Sequence, residues 1–144
     1  MSEADIKLSI SLAVPILCGE PEKVNLYSTK SGAKRIFQQA EVPTPISAYD
    51  IYDRREFLTS LSRLIAHNLF VNTWIFKIDD EYNGRGHASL TVENIKTILE
   101  LRKRKVEMTD GVIEKIQEVI SKVLPKKVKI AQSGLYRNLD EFMD

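Results

Sequence analysis

The stretch of sequence that decides the fold spans residues 70–87 and reads FVNTWIFKIDDEYNGRGH. Its first half, Phe70–Ile78, is rich in β-branched and aromatic residues and is predicted to form the strongest strand of the chain. Its second half is polar and contains Gly84 and Gly86, which predicts a loop. Because Lys77 stands near the end of the strand, its ammonium group is expected at the edge of a sheet, beside the loop.

Helical patterns lie on both sides of this stretch. They comprise a short helix from about Glu20 to Leu26, one capped by Ser28 or Thr29 and stopped at Val42–Pro45, one opened by Asp50 or Asp53, one from Val92 to about Arg104, and one from about Thr109 to Val123 that Pro125 ends. Weaker strand patterns occur at Ile6–Ile10, Pro15–Cys18, Ile46–Tyr49 and Val128–Ile130. Strands that alternate with helices predict an α/β or α+β fold, with a small mixed sheet flanked by helices.

Composition narrows the range of functions. The chain has 21 Lys or Arg and 20 Asp or Glu in 144 residues, so overall charge does not make it a polyanion binder. One cysteine, Cys18, and two histidines, His67 and His87, provide neither a disulfide framework nor zinc-finger spacing, and they favour a reducing compartment. No signal peptide is evident, and no apolar stretch approaches the ~20 residues that cross a bilayer. We therefore expect a cytoplasmic protein with no membrane partner.

Two segments carry lysines next to backbone that suits a phosphate group. The first begins at Lys30, continues as a helix that contains Lys34, and reaches the turn at Val42–Pro45. The second is the strand that ends near Lys77, followed by the glycine loop. Glycines allow backbone N–H groups to approach phosphate oxygens without a Cβ in the way, and Arg85 adds a planar fork of donors.

In their order and separation, these motifs resemble those of the ATP-grasp superfamily across about residues 15–89. Lys30 stands twelve residues before Val42, which matches the family's first nucleotide lysine, its helix and its turn. Lys77 matches the second nucleotide lysine, and residues 84–86 match the loop that folds over the phosphates. The phrases YSTKSGAK at 27–34 and WIFKIDDE at 74–81 are most similar to the ATP-grasp-like region of the IQ-motif-containing protein H family.

The resemblance implies a nucleotide ligand, ATP, with Lys30 toward the adenine, Lys77 toward the phosphates, and Gly84, Arg85 and Gly86 over the phosphates. A complete family member joins a carboxylate to an amine, thiol or similar nucleophile at the expense of ATP. The same resemblance implies a ciliary or flagellar setting and, for a longer parent protein, a calmodulin-type partner.

The chain departs from the family pattern after Ala88. No convincing hinge strand for adenine and ribose and no Glu and Asn pair for Mg²⁺ follow, so Mg²⁺ is expected only in a complete domain.

The expected organisation is a preceding strand and helix at 1–28, an ATP-grasp-like subdomain at 29–131 with its glycine loop at 79–89 and two following helices, and a tail at 132–144. We expect a fragment of a longer protein that binds ATP weakly or not at all, holds no metal and does not catalyse alone. The remainder of the parent protein is then its partner.

Each motif also has a purely structural explanation. Lys30 and Lys34 suit a solvated helix face, and the two glycines suit a tight hairpin turn. The acids at 79–81 suit a solvated loop better than a metal cluster, because three consecutive side chains cannot converge from a strand end. His87 suits a solvated loop.

Two other functions stay open beside the nucleotide site. One is a degenerate ATP-grasp remnant that serves as a protein-interaction module. The other is a nucleic-acid binder that uses the basic run Arg102–Lys105, since residues 100–130 hold nine Lys or Arg and five Asp or Glu. No RNA-binding aromatic pair or helix-turn-helix pattern accompanies this run, so a solvated helix end is favoured over a nucleic-acid partner.

Overall fold

The structure is a computed structural model that describes residues 2–104, 109–131 and 134–144. Contacts within it divide the chain into two compact units, residues 1–45 and 46–144. The predicted boundaries after residues 28 and 131 concern the organisation of the family and stay predictions.

The first unit contains three helices. They are α1 (Glu3–Leu12), α2 (Pro21–Tyr27) and α3 (Lys30–Gln39). Pro21 takes the first position of α2, where its missing N–H costs nothing, and the Thr29 hydroxyl accepts the Gly32 N–H at 3.0 Å to cap α3. Both helices were predicted from these residues. The predicted turn at Val42–Pro45 also follows α3, as expected from its two prolines.

The two strand patterns predicted in the first unit are wrong. Ile6–Ile10 belongs to α1, where Ser2 and Asp5 form a reciprocal cap. Pro15–Cys18 is irregular, and its Leu17 side chain is 97% exposed. A short apolar run becomes a strand only beside a partner strand, and the described part of the first unit contains none.

The second unit contains a three-stranded sheet and helices around it. Its elements in chain order are α4 (Arg54–His67), β1 (Thr73–Lys77), β2 (His87–Thr91), α5 (Lys96–Arg104), α6 (Asp110–Lys127), β3 (Lys129–Ile130) and α7 (Leu139–Met143). Asp53 caps α4 by accepting the Glu56 N–H at 2.7 Å, as one of the two predicted caps. The small sheet with helices confirms the predicted fold class in its α+β form.

The described sheet is antiparallel, in the order β1, β2, β3, rather than mixed as predicted. Alternation along β1 buries Trp74 and Phe76 and exposes Thr73, Ile75 and Lys77. The sheet therefore has an inner face against the core and an outer face that carries Lys77.

The core lies between the inner face of the sheet and the helices, chiefly α4 and α6, which pack on each other. Phe57 of α4 meets Phe76 of β1 edge to face, with ring centroids 5.0 Å apart. The most deeply buried apolar side chains are Ile65, Leu90, Val92, Ile98, Ile116 and Ile120. No described helix is long and apolar enough to cross a bilayer.

Three sequence predictions for the second unit need correction. Ile46–Tyr49 is irregular rather than a strand, with Ile46 62% exposed and no strand paired to it. α6 continues through Pro125 to Lys127, because a proline in the last turn removes only one helix hydrogen bond. β2 occupies residues that were assigned to the end of the loop and the approach to the next helix.

Candidate functional site

Lys77 is the last residue of β1, as predicted, and pairs with His87 at the start of β2. The Ile78 N–H donates to the Gly86 carbonyl at 2.8 Å, which extends the ladder by one step. Lys77 is exposed on the outer face of the sheet. Its ammonium group and the glycine loop therefore emerge from the same end of the hairpin.

The loop contains a tight turn at Asn83 and Gly84. Both residues have positive φ, 55° and 77°, and the Arg85 N–H donates to the Tyr82 carbonyl at 3.1 Å. Two central residues with positive φ are characteristic of the type I′ hairpin turn, for which Asn-Gly is a preferred pair. The structural explanation of the glycine motif as a hairpin turn is thus confirmed, and any phosphate role is additional to it.

The two glycines of the loop serve different purposes. A Cβ on Gly86 would stand 2.8 Å from the Cβ atoms of Ile78 and Glu81, and its φ is +63°. A Cβ on Gly84 would meet nothing within 4 Å. Gly86 is therefore required by close packing inside the loop, whereas the backbone at Gly84 is open to a ligand.

Arg85 is held by partners within the loop. Its Nε lies 3.2 Å from Glu81 Oε2, and the guanidinium carbon lies 4.4 Å from the centre of the Tyr82 ring. An arginine over an aromatic face gains cation–π attraction in addition to its ion pair. The planar donor fork predicted for a phosphate is present, and its Nε lies within ion-pair distance of a carboxylate of the protein but makes no hydrogen bond to it.

Glu81 also contacts Tyr136, whose hydroxyl donates to Glu81 Oε1 at 3.2 Å. Burial raises the pKa of the Tyr136 phenol, and the neighbouring Glu81 carboxylate raises that pKa further because it disfavours a second negative charge. The hydroxyl therefore stays protonated and keeps donating at neutral pH.

The phenol of Tyr136 is expected to titrate above the ordinary value of about 10. Because the pKa is raised in the folded state, the contribution of this hydrogen bond to stability is complete below about pH 10 and is lost as the pH rises through the folded-state pKa. The phenolate absorbance of the wild-type chain minus that of Tyr136→Phe measures it. Tyr52→Phe is the control, since Tyr52 is 84% exposed. A Tyr136 that titrates at or below its ordinary pKa contradicts the assignment.

Lys30 is the first residue of α3, in the first unit, and its side chain is partly buried. Lys77, Gly84, Arg85 and Gly86 belong to one hairpin of the second unit. The structure thus places four of the five predicted residues in the same hairpin, and the nucleotide roles of all five stay predictions.

The acids of residues 79–81 do not form a metal site. Asp79 and Asp80 are exposed and Glu81 is engaged with Arg85 and Tyr136. Among the residues that the structure describes, no three His, Cys, Asp or Glu side chains cluster to hold a metal ion.

The basic run at Arg102–Lys105 is partly used inside the fold. Arg102 donates from Nε to the Leu69 carbonyl at 2.6 Å and from its terminal nitrogen to Asn72 Oδ1 at 2.9 Å. Lys105 lies outside the described residues. A different set of lysines, Lys126, Lys127 and Lys129, lines a shallow groove together with Thr91 and Asn94. Arg102 thus has a structural role, and the alternative of a nucleic-acid patch stays a hypothesis.

Sequence reasoning missed polar residues on the outer face of the sheet. His87 pairs with Lys77, and Ser89 pairs with Ile75 on one side and Lys129 on the other. A usable signal was present: Asn83-Gly84 is a strong hairpin signal, and the following residues alternate between polar and apolar. The two-residue strand β3, by contrast, lies within Val128–Ile130, where a strand was predicted.

These features define a small α+β sheet domain whose outer face carries a lysine beside a glycine turn. A family model described as IQCH-like, ATP-grasp matches residues 21–144 of the chain. The IQ motif-containing protein H of Danio rerio is 31% identical over 150 residues, which cover 97% of this chain and 14% of that protein. The chain therefore belongs to the IQCH-like ATP-grasp family, which confirms the resemblance inferred from its motifs. No solved structure matches the chain significantly.

Proposed function

We propose that the second unit is the phosphate-side part of an ATP-binding domain. One observation carries the proposal: Lys77 ends β1 on the outer sheet face, at the same end of the hairpin as the turn at Gly84. A lysine ammonium is a point cation that suits phosphate oxygens, and the unobstructed backbone at Gly84 allows close approach. Membership in an ATP-grasp family supports the same ligand.

Each residue of the proposed site has its own task. Lys77 neutralises phosphate charge, and Gly84 lets the backbone approach it. Arg85 contributes its guanidinium once it leaves Glu81. Gly86 acts indirectly, since it permits the packing of the loop against Ile78 and Glu81.

The chain spans 14% of the length of the relative it matches, so the activity of a whole protein is a separate matter. For such a protein we propose the family's general chemistry, the ATP-dependent activation of a carboxylate, together with the ciliary setting and the calmodulin-type partner. The chain is itself proposed to bind nucleotide weakly and not to catalyse alone.

The substitution Lys77→Gln tests the proposed site. We expect the variant to bind Mg-ATP about tenfold or more weakly than the wild-type chain, because a charge-assisted contact with phosphate is lost. Lys115→Gln is the matched control, since Lys115 is an exposed lysine on α6. Isothermal calorimetry of the three proteins at one salt concentration gives the affinities. Equal affinities for the two variants contradict the assignment of Lys77.

The contacts within the glycine loop favour a second candidate function. Arg85 has a partner within the loop, and Gly86 is accounted for by packing, so the loop needs no ligand to be ordered. This supports a remnant of an ATP-grasp domain that serves as a protein-interaction module. A wild-type chain that shows no ATP binding, with its fold intact, favours the module over the nucleotide site.

A further inference from the structure

Glu81 is the residue through which the glycine loop is joined to the C-terminal segment. One carboxylate oxygen, Oε2, lies 3.2 Å from Arg85 Nε, and the other, Oε1, accepts the Tyr136 hydroxyl at 3.2 Å. The side chains of Arg85 and Glu81 are 35% and 26% exposed, so the ion pair is partly shielded from water. A single carboxylate therefore holds the loop arginine and is itself held from outside the loop.

Tyr136 is anchored by the core rather than by the loop. Its ring meets Phe142 of α7 edge to face, at 5.6 Å between centroids and 79° between planes, and Phe142 is 6% exposed. An ion pair of 2.6 Å between Arg54 and Asp140 ties α7 to α4. The phenol that bonds to Glu81 is thus placed by the packing of Phe142, and it keeps this position for as long as α7 stays docked.

We propose that Glu81 competes with a nucleotide phosphate for the Arg85 guanidinium and that Tyr136 is the latch that keeps Glu81 in place. The inference rests on the proposed nucleotide site and adds a regulation to it. The ion pair joins Arg85 Nε to Glu81 Oε2 at 3.2 Å without hydrogen-bond geometry, so a phosphate that binds the guanidinium competes with Glu81 for its positive charge and for its Nε–H. The Glu81 carboxylate also repels a phosphate that approaches Gly84.

The position of Tyr136 gives this competition a means of control. Tyr136 belongs to the segment 134–144 that follows β3, about fifty residues beyond the loop in sequence. A movement of this segment that withdraws the phenol removes one hydrogen bond from Glu81 and loosens its hold on Arg85. Nucleotide affinity is then coupled to the docking of α7, without a contact between α7 and the nucleotide.

Two isosteric substitutions separate the competitor from the latch. Glu81→Gln removes the charge and keeps the shape, so we expect Mg-ATP to bind about two- to fivefold more tightly, the effect of losing a partly exposed ion pair. Tyr136→Phe removes only the hydroxyl, so we expect the loop amides to exchange hydrogen about two- to tenfold faster. The probes are the Ile78 and Arg85 N–H groups, which donate to Gly86 and Tyr82.

The controls are Glu114→Gln, which removes an exposed charge on α6, and Tyr52→Phe, which removes an exposed hydroxyl. Exchange is measured without nucleotide, so it tests the latch independently of ATP. Unchanged exchange in Tyr136→Phe overturns the latch. Where the wild-type chain binds ATP, weaker or equal binding by Glu81→Gln overturns the competition. Faster exchange in Tyr136→Phe with no ATP binding by any variant overturns the proposed function and leaves the contact between Tyr136 and Glu81 supported.

Discussion

Gly86→Ala is expected to lower the free energy of unfolding of the second unit by about 3 kcal/mol, because two costs add. An alanine at φ +63° enters the left-handed region that side chains disfavour, and its Cβ would lie 2.8 Å from the Cβ atoms of Ile78 and Glu81. Neither of those atoms is the far end of a flexible side chain. The substitution therefore has to displace backbone in the loop.

Gly84→Ala is the matched control for this prediction. Its φ is +77°, but nothing lies within 4 Å of the added Cβ, so only the conformational cost of about 1 kcal/mol applies. Urea unfolding, followed by the fluorescence of the single tryptophan, Trp74, reports on the sheet. If Gly84→Ala and Gly86→Ala lower the free energy of unfolding equally, the assignment of close packing at Gly86 is wrong.

Leu90→Ala is expected to cost about 2–5 kcal/mol of the same free energy of unfolding. Leu90 lies on the central strand β2, pairs with Trp74 of β1, and has no exposed surface. Truncation removes buried apolar atoms and leaves a cavity between the sheet and the helices, which the packed interior fills only in part.

The control for Leu90 is Ile75→Ala on the outer face of β1. Ile75 is 65% exposed, so its truncation is expected to cost less than about 1 kcal/mol. The comparison tests the assignment of the two sheet faces, and hence the face on which Lys77 lies. A larger loss for Ile75→Ala than for Leu90→Ala means that the faces are reversed.

Helices α2 to α6 and the strands β1 and β3 could be predicted from local chemistry. Thr29 and Asp53 are helix caps that can be recognised from the few residues around them. The aromatic and β-branched residues before Lys77 predict a strand from composition alone. The errors concern strand partners, which are not local. Pro15–Cys18 is apolar enough for a strand, but no described strand lies beside it. The less apolar sequence of β2 forms a strand because β1 pairs with it across the loop of residues 78–86.

The sequence predicted which residues belong to the candidate site, but not the contacts that these residues make. The position of Lys77 at a strand end followed from sequence, and so did the turn at Gly84 as the structural alternative. The partners of Arg85 could not be predicted from the sequence. Tyr136 lies 55 residues from Glu81 in sequence, and no spacing or periodicity relates a residue near the end of the chain to the loop. Lys129 was counted as part of a basic stretch, and only the pairing with Ser89 places it on the outer face.

The most direct test of the proposed nucleotide site is a titration of the 144-residue chain with Mg-ATP, followed by the amide shifts of wild type and Lys77→Gln. We expect saturable shifts centred on Lys77, Gly84 and Arg85 in the wild-type chain, and their loss or marked weakening in the variant. Silence of these amides while distant residues such as Thr91 and Asn94 shift contradicts the assignment. Such a result indicates that the nucleotide binds instead in the groove lined by Lys126, Lys127 and Lys129.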